Sequence, residues 1–182
     1  MGIVEKSGFW RNVGRLVNTG VGSKVMAGAG TMVNRVAGLS TPNLRSDIPW
    51  TNAKKPLQEC NVALINTAGI YLDGDTPFDV DKGIGDTSFR EMPSDFAVDA
   101  LRIAHAHYPH RYVKEDINVL LPIDHLRNLE AAGIFKLSPR FFAFGFGGNQ
   151  TGAYVKGPDG SAHQVARKLK EDGADIVILA PA

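Results

Sequence analysis

A chain of 182 residues suits one domain that buries roughly 70% of the surface its unfolded form exposes. Charged residues make up 21% and the formal net charge is +1, so we expect no nucleic-acid partner. The single cysteine, Cys60, cannot form an internal disulfide, and no apolar stretch reaches the ~18 to 20 residues that span a bilayer. These features predict a cytoplasmic protein without a transmembrane segment.

Residues 1–47 are predicted to form a glycine-rich, amphipathic N-terminal extension. Apolar residues from Phe9 to Val36 recur at near-helical spacing among basic side chains, while glycines such as Gly14 and Gly22 weaken the helix. The helix would pack on its own domain, on a partner subunit or at a membrane surface. Proline-containing pairs near residues 42 and 49 mark a linker, so residues 48–182 are predicted to be a separate α/β domain.

The α/β pattern begins with a short apolar strand over 62–65, which runs into the turn Thr67-Ala68-Gly69. A long stretch over 73–95, rich in Asp, Gly and Pro, is predicted to be an irregular loop of the kind found around active sites. A second strand is predicted over 117–121, and Pro122 opens a helix that stops at Gly133.

The second half repeats this alternation. A third strand over 141–144 runs into Gly145-Phe146-Gly147-Gly148, a helix covers 162–171, and a last strand begins at 176. The order predicts a doubly wound, mostly parallel sheet of Rossmann or flavodoxin type. Ligands of such sheets bind in the loops that follow the carboxyl ends of the strands.

The last ten residues, 173–182, read as a helix end, an apolar strand and an exit through Pro181. A strand of this kind in a parallel sheet is covered on both faces, which requires a crossover helix after it as well as before it. We therefore expect a C-terminally truncated fold, in which Pro181 and Ala182 form the rim of the reactive pocket.

Four of the five histidines lie between residues 105 and 125, and His105, His107 and His110 have the H-x-H-x-x-H spacing of a metallo-β-lactamase-type site. Pro109 stands where that motif carries an aspartate. A capping or surface role and an acid–base role for His105 or His107 are the alternatives. The aspartates over 73–86 lack the order of a calcium-binding loop, so no metal is predicted.

The glycine-rich turn that contains Gly145 and Gly147 has two interpretations. Backbone N–H groups of such a turn can approach a phosphate, but the sequence is neither G-x-G-x-x-G nor a Walker A motif. A tight turn that lines a substrate pocket is favoured.

Several segments, taken in order, resemble the selenoprotein B family of glycine, sarcosine, betaine and D-proline reductases. Within that family the likeness is strongest to the short, selenocysteine-bearing subunit of D-proline reductase. The resemblance covers the chain from about residue 48 to the end and is specific because its segments occur together and in order. The matching segments are Pro49-Trp50-Thr51, Val62-Ala63-Leu64-Ile65-Asn66-Thr67-Ala68-Gly69-Ile70, Asp86-Thr87-Ser88-Phe89-Arg90-Glu91-Met92-Pro93, Ala104-His105 with Tyr108, Leu121-Pro122-Ile123-Asp124, and Gly173-Ala174-Asp175-Ile176-Val177-Ile178-Leu179.

The resemblance implies reductive cleavage of a C–N bond in a small amino acid or amine. It implies a selenocysteine after Ala182 in the full-length product, encoded by a UGA codon, and a pyruvoyl group on a partner subunit of a hetero-oligomeric reductase. This chain itself is expected to hold no cofactor and, as 182 residues, to be inactive. It is also expected to be marginally stable or to self-associate.

The implied site divides by role. Proton handling is assigned to His105, Tyr108 and His107. Substrate binding is assigned to Thr67, Ala68, Gly69 and Arg90, with Gly145 and Gly147 lining the pocket. Two alternatives stay open: a complete small-ligand or nucleotide-binding α/β module without catalysis, and a structural subunit that docks on a partner.

Overall fold

A computed structural model describes residues 51–81, 85–105, 108, 110–147 and 151–181 of the chain. The predicted N-terminal extension, His107 and Ala182 lie outside the described residues. The elements follow in chain order as β1 (Asn61–Asn66), β2 (Ile70–Leu72), β3 (Phe89–Pro93), β4 (Leu101–Ile103), α1 (His110–Glu115), α2 (Ile123–Ala131), β5 (Lys136–Leu137), β6 (Arg140–Phe144), α3 (Thr151–Tyr154), α4 (Ser161–Glu171) and β7 (Ile176–Ala180). Short 3-10 helices cover Leu57–Glu59, Val98–Ala100 and Ile117–Val119.

The main sheet is built around β1. Strands β5 and β6 run parallel to β1 and pair with its first and last residues, while β7 pairs with β1 along its length, also in parallel. Strand β3 joins β6 in the antiparallel direction, so the sheet is mixed. Strands β2 and β4 form a separate antiparallel pair. The fold is therefore α/β with parallel central strands, as the sequence predicts.

Helices pack on both faces of this sheet. On one face, Val62 and Leu64 of β1 pack with Phe141 of β6 and with Ile123 and Leu126 of α2. On the other face, Ala63, Phe142 and Phe144 pack with the apolar stripe of α4, which consists of Val165 and Leu169. Strand β1 is buried from both sides, which is why its sequence is a continuous apolar run instead of an alternating one.

Strand β7 is covered on one face only within the described part of the chain. Ile176, Ile178 and Ala180 pack against the first core, whereas Val177 and Leu179 on the other face are 40% and 69% exposed. Among the described residues β7 pairs with β1 alone, so it is an edge strand.

The predicted strand over 117–121 is wrong. Asp116 accepts hydrogen bonds from both nitrogens of Asn118, and the amide of Leu120 donates to the Ile117 carbonyl at 3.0 Å, which closes a 3-10 helix. Asp and Asn cap turns of this kind, and their local hydrogen bonds outcompete strand pairing for the short apolar run. Leu120 and Leu121 are buried all the same, as the lead into α2.

The stretch over 73–95 is not wholly irregular, because it contains β3. Strand β3 is not predicted from the sequence for two reasons. The polar residues Arg90 and Glu91 interrupt its apolar pattern, and its partner β6 lies far away in the chain. Met92 is completely buried against the first core, while Phe89 packs edge-on against Phe142 on the opposite face.

Candidate active site at the carboxyl end of the sheet

The carboxyl ends of the parallel strands meet at one edge of the sheet. Asn66, the last residue of β1, is in register with Ala143 of β6 on one side and with Ala180 of β7 on the other. Arg90 of β3 is in register with the same Ala143. The predicted binding turn, the glycine-rich turn and the exit of β7 therefore leave the sheet at the same edge, where ligands of α/β sheets bind.

Asn66 joins two of these segments to the connection that precedes α2. Its side chain is fully buried, and its amide nitrogen donates to the carbonyl of Leu120 at 2.9 Å and to that of Ala180 at 3.1 Å. Its amide oxygen accepts the N–H of Ala68 at 2.7 Å. The residue thus ties the end of β7 and the connection before α2 to the turn after β1.

The turn Thr67-Ala68-Gly69 is shaped by its glycine. Gly69 has a φ of +64°, and a Cβ there would lie 2.3 Å from the carbonyl oxygen of Ala104. The Gly69 amide donates to the Phe144 carbonyl at 3.1 Å, and its own carbonyl accepts the Ala104 amide at 2.9 Å. The close approach holds the segment that leads to His105 directly against the turn.

Tyr108 and His105 stack above this turn. The Tyr108 hydroxyl donates to the Ala68 carbonyl at 2.8 Å, and its ring centroid lies 4.5 Å from that of His105. Burial raises the pKa of Tyr108 well above its usual value, so the phenol stays protonated and keeps donating. His105 is buried, and its ring meets the edge of Phe146 at 5.3 Å between centroids.

His110 completes the cluster from the first position of α1. Its Nε2 lies 2.8 Å from the carbonyl oxygen of His105, and its ring centroid is 5.1 Å from that of Tyr108. Burial lowers the pKa of His110, the contact with the His105 carbonyl opposes this, and the charge of Lys114 lowers the pKa further. The neutral imidazole is therefore favoured, which suits a group that accepts or relays a proton.

Arg90 lies in the same row of the sheet but is directed to a loop. Its guanidinium donates to the carbonyls of Thr76 at 2.7 Å, Pro77 at 3.3 Å and Phe89 at 2.8 Å, and it lies 4.3 Å from the ring centroid of Phe78. Two strand spacings, about 10 Å, separate its backbone from Asn66. The structure does not bring its charged group to the turn 67–69.

The glycine-rich turn is packed from two sides. The Gly145 amide donates to the Ser88 carbonyl at 3.1 Å, and the Tyr154 hydroxyl donates to the Gly145 carbonyl at 3.0 Å. A Cβ on Gly147 would lie 2.3 Å from the Tyr154 hydroxyl oxygen. The Gly145 amide is therefore already bonded within the protein.

A polar recess of about 410 Å³ lies beside this turn, between Asp86 and the start of α4. Burial alone would raise the pKa of Asp86, but hydrogen bonds from Ser88 and the Asp79 amide, together with Arg90, lower it overall. Asp159 lines the same recess opposite Lys156. Two carboxylates against one ammonium do not favour a phosphate.

An apolar groove of about 300 Å³ adjoins the turn 67–69 on the face of the sheet that α4 covers. Thr67 lies at its polar end, and the Thr67 amide donates to the Ala180 carbonyl at 3.3 Å. Leu179 of β7 forms one wall and Leu169 of α4 the opposite one. Pro181, the predicted rim residue, is exposed and follows β7 directly.

Cys60 lies at the far end of β1. Its side chain is buried, and its Sγ donates to the Pro56 carbonyl at 3.4 Å. The six residues of β1 separate it from the turn 67–69 by about 20 Å. The only thiol of the sequence is therefore remote from the candidate site.

Among the described residues no three His, Cys, Asp or Glu side chains converge as metal ligands. Because His107 lies outside them, the three-histidine alternative is untested. No described helix combines the length and the apolar character needed to cross a bilayer.

Sequence reasoning missed Asn66, Phe146 and Tyr154 as members of this region. A polar residue that closes an otherwise apolar strand was a usable signal for Asn66, since a buried amide requires hydrogen-bonding partners. Phe146 and Tyr154 are recognised only through their contacts with His105 and the glycine-rich turn.

Comparison with known protein families identifies the family of this chain. The family model described as glycine/sarcosine/betaine reductase selenoprotein B matches residues 38–182. The chain belongs to this selenoprotein B family. The resemblance read from the sequence motifs is thereby confirmed.

Relatives within the selenoprotein B family are subunits of reductases. The chain is 37% identical over 132 residues to the D-proline reductase subunit gamma of Acetoanaerobium sticklandii, covering 71% of this chain and 52% of the relative. It is 32% identical over 137 residues to the glycine reductase complex component B subunit gamma of Carboxydothermus hydrogenoformans, covering 72% of this chain and 30% of the relative. It is 28% identical over 138 residues to the sarcosine reductase complex component B subunit beta of Peptoclostridium acidaminophilum, covering 72% and 30%.

The match to this selenoprotein B chain spans about half the length of the D-proline reductase subunit and under a third of the other two. No solved structure is significantly similar to it.

Proposed function

We propose that this chain is the scaffold of a selenocysteine-dependent reductase subunit that cleaves a C–N bond of a small amino acid or amine. The observation that carries the proposal is the edge where Asn66, the turn 67–69 and the exit of β7 are joined by hydrogen bonds beneath Tyr108 and His105. A reactive residue that follows β7 would enter this edge beside Thr67.

The fit of such a residue can be judged from the surroundings of β7. The exit is pinned by Asn66 and Thr67, while Pro181 is exposed and Leu179 opens onto an apolar groove. A selenol, which ionises more readily than a thiol, would supply the nucleophile there, and a pyruvoyl carbonyl on a partner subunit would activate the amine.

The residues of this chain would bind the substrate and move protons. Tyr108, kept protonated by burial, and His105 stacked on it are proposed to hold or deliver a proton to the departing nitrogen, and His107 is proposed for the same role. Thr67, Ala68 and Gly69 are proposed to contact the substrate. Arg90, Gly145 and Gly147 would support the walls of the site.

The proposal extends to the whole polypeptide. It assigns residues 1–47 to an extension and residues 48–182 to a reductase domain, with a doubly wound sheet of Rossmann or flavodoxin type in the full subunit. The subunit would assemble with other subunits of a reductase. A selenol needs reducing surroundings, which supports the proposal of a cytoplasmic protein.

The first test is genetic and chemical. We expect the natural gene to read UGA after the Ala182 codon and to continue in frame, and mass spectrometry of the protein from its source to find selenium in the corresponding peptide. A UAA or UAG codon at that position, or a selenium-free full-length protein, would contradict the proposal.

The second test is turnover. The full-length protein with its partner subunits should reduce at least one of D-proline, glycine, sarcosine or betaine with a dithiol as electron donor. The control is the same complex with the chain limited to residues 1–182, which should show no turnover because Cys60 is buried and remote. Equal turnover by that control would overturn the assignment.

The ligand-binding alternative has weaker support. A nucleotide would need phosphate donors, but the Gly145 amide is already used and the neighbouring recess is lined by Asp86 and Asp159. The apolar groove is lined almost entirely by apolar side chains, with Thr67 beside the ends of the strands. Such a lining suits packing more than recognition of a charged ligand.

A further inference from the structure

We propose that Asn66 is a positioning residue, which fixes the exit of β7 to the turn 67–69 and through it to Tyr108. This inference rests on the proposed function for its catalytic consequence, since the exit of β7 is where the reactive residue would follow. Its structural part, a clamp between strand ends, stands on the described contacts alone.

The first step is the accounting of hydrogen bonds at the Asn66 amide. The side chain is fully buried, and both ends are used: the nitrogen donates to Leu120 and Ala180, and the oxygen accepts from Ala68. A buried polar side chain lowers the stability of the core unless its hydrogen-bonding groups have partners. Here both the nitrogen and the oxygen of the Asn66 amide have partners. Its three partners lie on three different segments.

The second step is continuity. The Tyr108 hydroxyl donates to the Ala68 carbonyl, the Ala68 amide donates to Asn66, and Asn66 donates to the Ala180 carbonyl. The three distances are 2.8, 2.7 and 3.1 Å. One chain of hydrogen bonds therefore runs from the proposed proton-handling side chain to the last residue of β7.

The third step is the chemistry of the side chain. The carbonyl oxygens of Leu120 and Ala180 require a side chain with two N–H donors, and the Ala68 amide requires an acceptor. Asparagine provides both on one short side chain. Aspartate has nearly the same shape but would place a carboxylate oxygen against the Leu120 and Ala180 carbonyls. The substitution Asn66→Asp therefore keeps the volume and the bond to Ala68 while it removes the clamp on β7.

The chain contains a matched control at the opposite end of the same strand. Asn61 is the first residue of β1, and its amide nitrogen donates to the Gly173 carbonyl at 3.2 Å, just before β7 begins. Asn61→Asp makes the same chemical change and also perturbs a contact between β1 and the β7 region. It leaves the carboxyl edge untouched.

The first experiment measures amide hydrogen exchange in the 182-residue chain. Asn66→Asp should speed exchange at Thr67, whose amide donates to the Ala180 carbonyl, by about tenfold or more relative to Leu64, whose amide reports opening of the strand interior. Asn61→Asp should leave the ratio unchanged. Lowering the pH should partly restore protection in Asn66→Asp, because the protonated carboxyl regains one donor. Equal acceleration at Leu64 and at Thr67 would overturn the clamp.

The second experiment measures turnover in the full-length protein with its partner subunits. Asn66→Asp should lower kcat by about tenfold or more with KM changed by less than about twofold, and Asn61→Asp should change neither. Equal losses in the two variants would overturn the positioning role. A wild-type complex without turnover would overturn the proposed function, while the exchange result would still decide the clamp.

Discussion

At the residue scale, the rings of His105, Tyr108 and His110 form a contact cluster at this edge. Tyr108 is held as a neutral phenol by burial, and His110 is held toward its neutral form by burial and by Lys114. Both groups have pKa values shifted by desolvation at the same end of the sheet. Shifts of this kind are common where acid–base chemistry takes place.

Tyr108→Phe tests the bond to the turn. The variant keeps the ring on His105 but leaves the Ala68 carbonyl without the hydroxyl donor, so the free energy of unfolding should fall by about 1 kcal/mol. Urea unfolding measures this change. Tyr112→Phe is the control, because the Tyr112 ring is 49% exposed, and its loss should be smaller. Equal losses would show that the bond to Ala68 does not stabilise the turn.

His110 should make stability depend on pH. Its pKa is lowered in the folded state, so below about pH 6.5 the unfolded chain takes up a proton more readily than the folded one. The free energy of unfolding should therefore increase as the pH rises from the lowered pKa to about 6.5. It should decrease as the pH falls through the same range.

The measurement is urea unfolding between about pH 5 and pH 8. His110→Gln should flatten this dependence, whereas His125→Gln, at an exposed position of α2, should retain it. An unchanged slope in His110→Gln would contradict the assignment to this residue.

At the element scale, the turn after β1 controls how closely the neighbouring segments approach. Both the backbone conformation and the available space require glycine at position 69. Its φ is positive, and the Ala104 carbonyl occupies the place of a side chain. The segment that carries His105 is therefore held by backbone contacts, and the ring positions follow from them.

Gly69→Ala should be strongly destabilising. The added Cβ meets a backbone oxygen that cannot move aside cheaply, so we expect a loss on the order of 2 to 4 kcal/mol in the free energy of unfolding. Gly74→Ala is the control: Gly74 has a φ of +92°, but no atom lies within 4 Å of a Cβ there. That control should cost about 1 kcal/mol. Similar melting temperatures for the two variants would show that the Ala104 contact is not restrictive.

At the scale of the whole molecule, the face of β7 that the described residues leave uncovered is expected to govern association. Leu179 lines the apolar groove, and Val177 is exposed on the same face of β7, a strand that has one neighbour among the described residues. Exposed apolar edge strands are sites of protein–protein contact. The 182-residue chain is therefore expected to self-associate, or to bind other reductase subunits, through this face.

Leu179→Lys should reduce self-association while changing the free energy of unfolding by less than about 0.5 kcal/mol, because the side chain is 69% exposed. Sedimentation velocity over a range of concentrations measures the association. Leu129→Lys on α2 is the control, since Leu129 is 42% exposed and lies outside the groove. Association that is unaffected by Leu179→Lys would place the contact elsewhere.

The sequence by itself determined the elements whose information is local and continuous. The apolar run of β1, the helix opened by Pro122, the stripe of α4 and the alternation of helix and strand before β7 each follow from residues adjacent in the chain. The ordered motifs also determined the family. The α/β class and the edge where the site lies follow from these elements, because parallel strands end on the same side.

Only the tertiary structure decided where the remaining groups point. It replaced the predicted strand over 117–121 by the 3-10 helix Ile117–Val119, added β3 to the sheet through pairing with β6, and directed Arg90 to a loop instead of the turn 67–69. It also gave Asn66 its partners at Leu120 and Ala180, which are 54 and 114 positions away in the chain. Contacts over such distances leave no periodic signal, because burial and hydrogen-bond satisfaction are settled only when separate segments pack together.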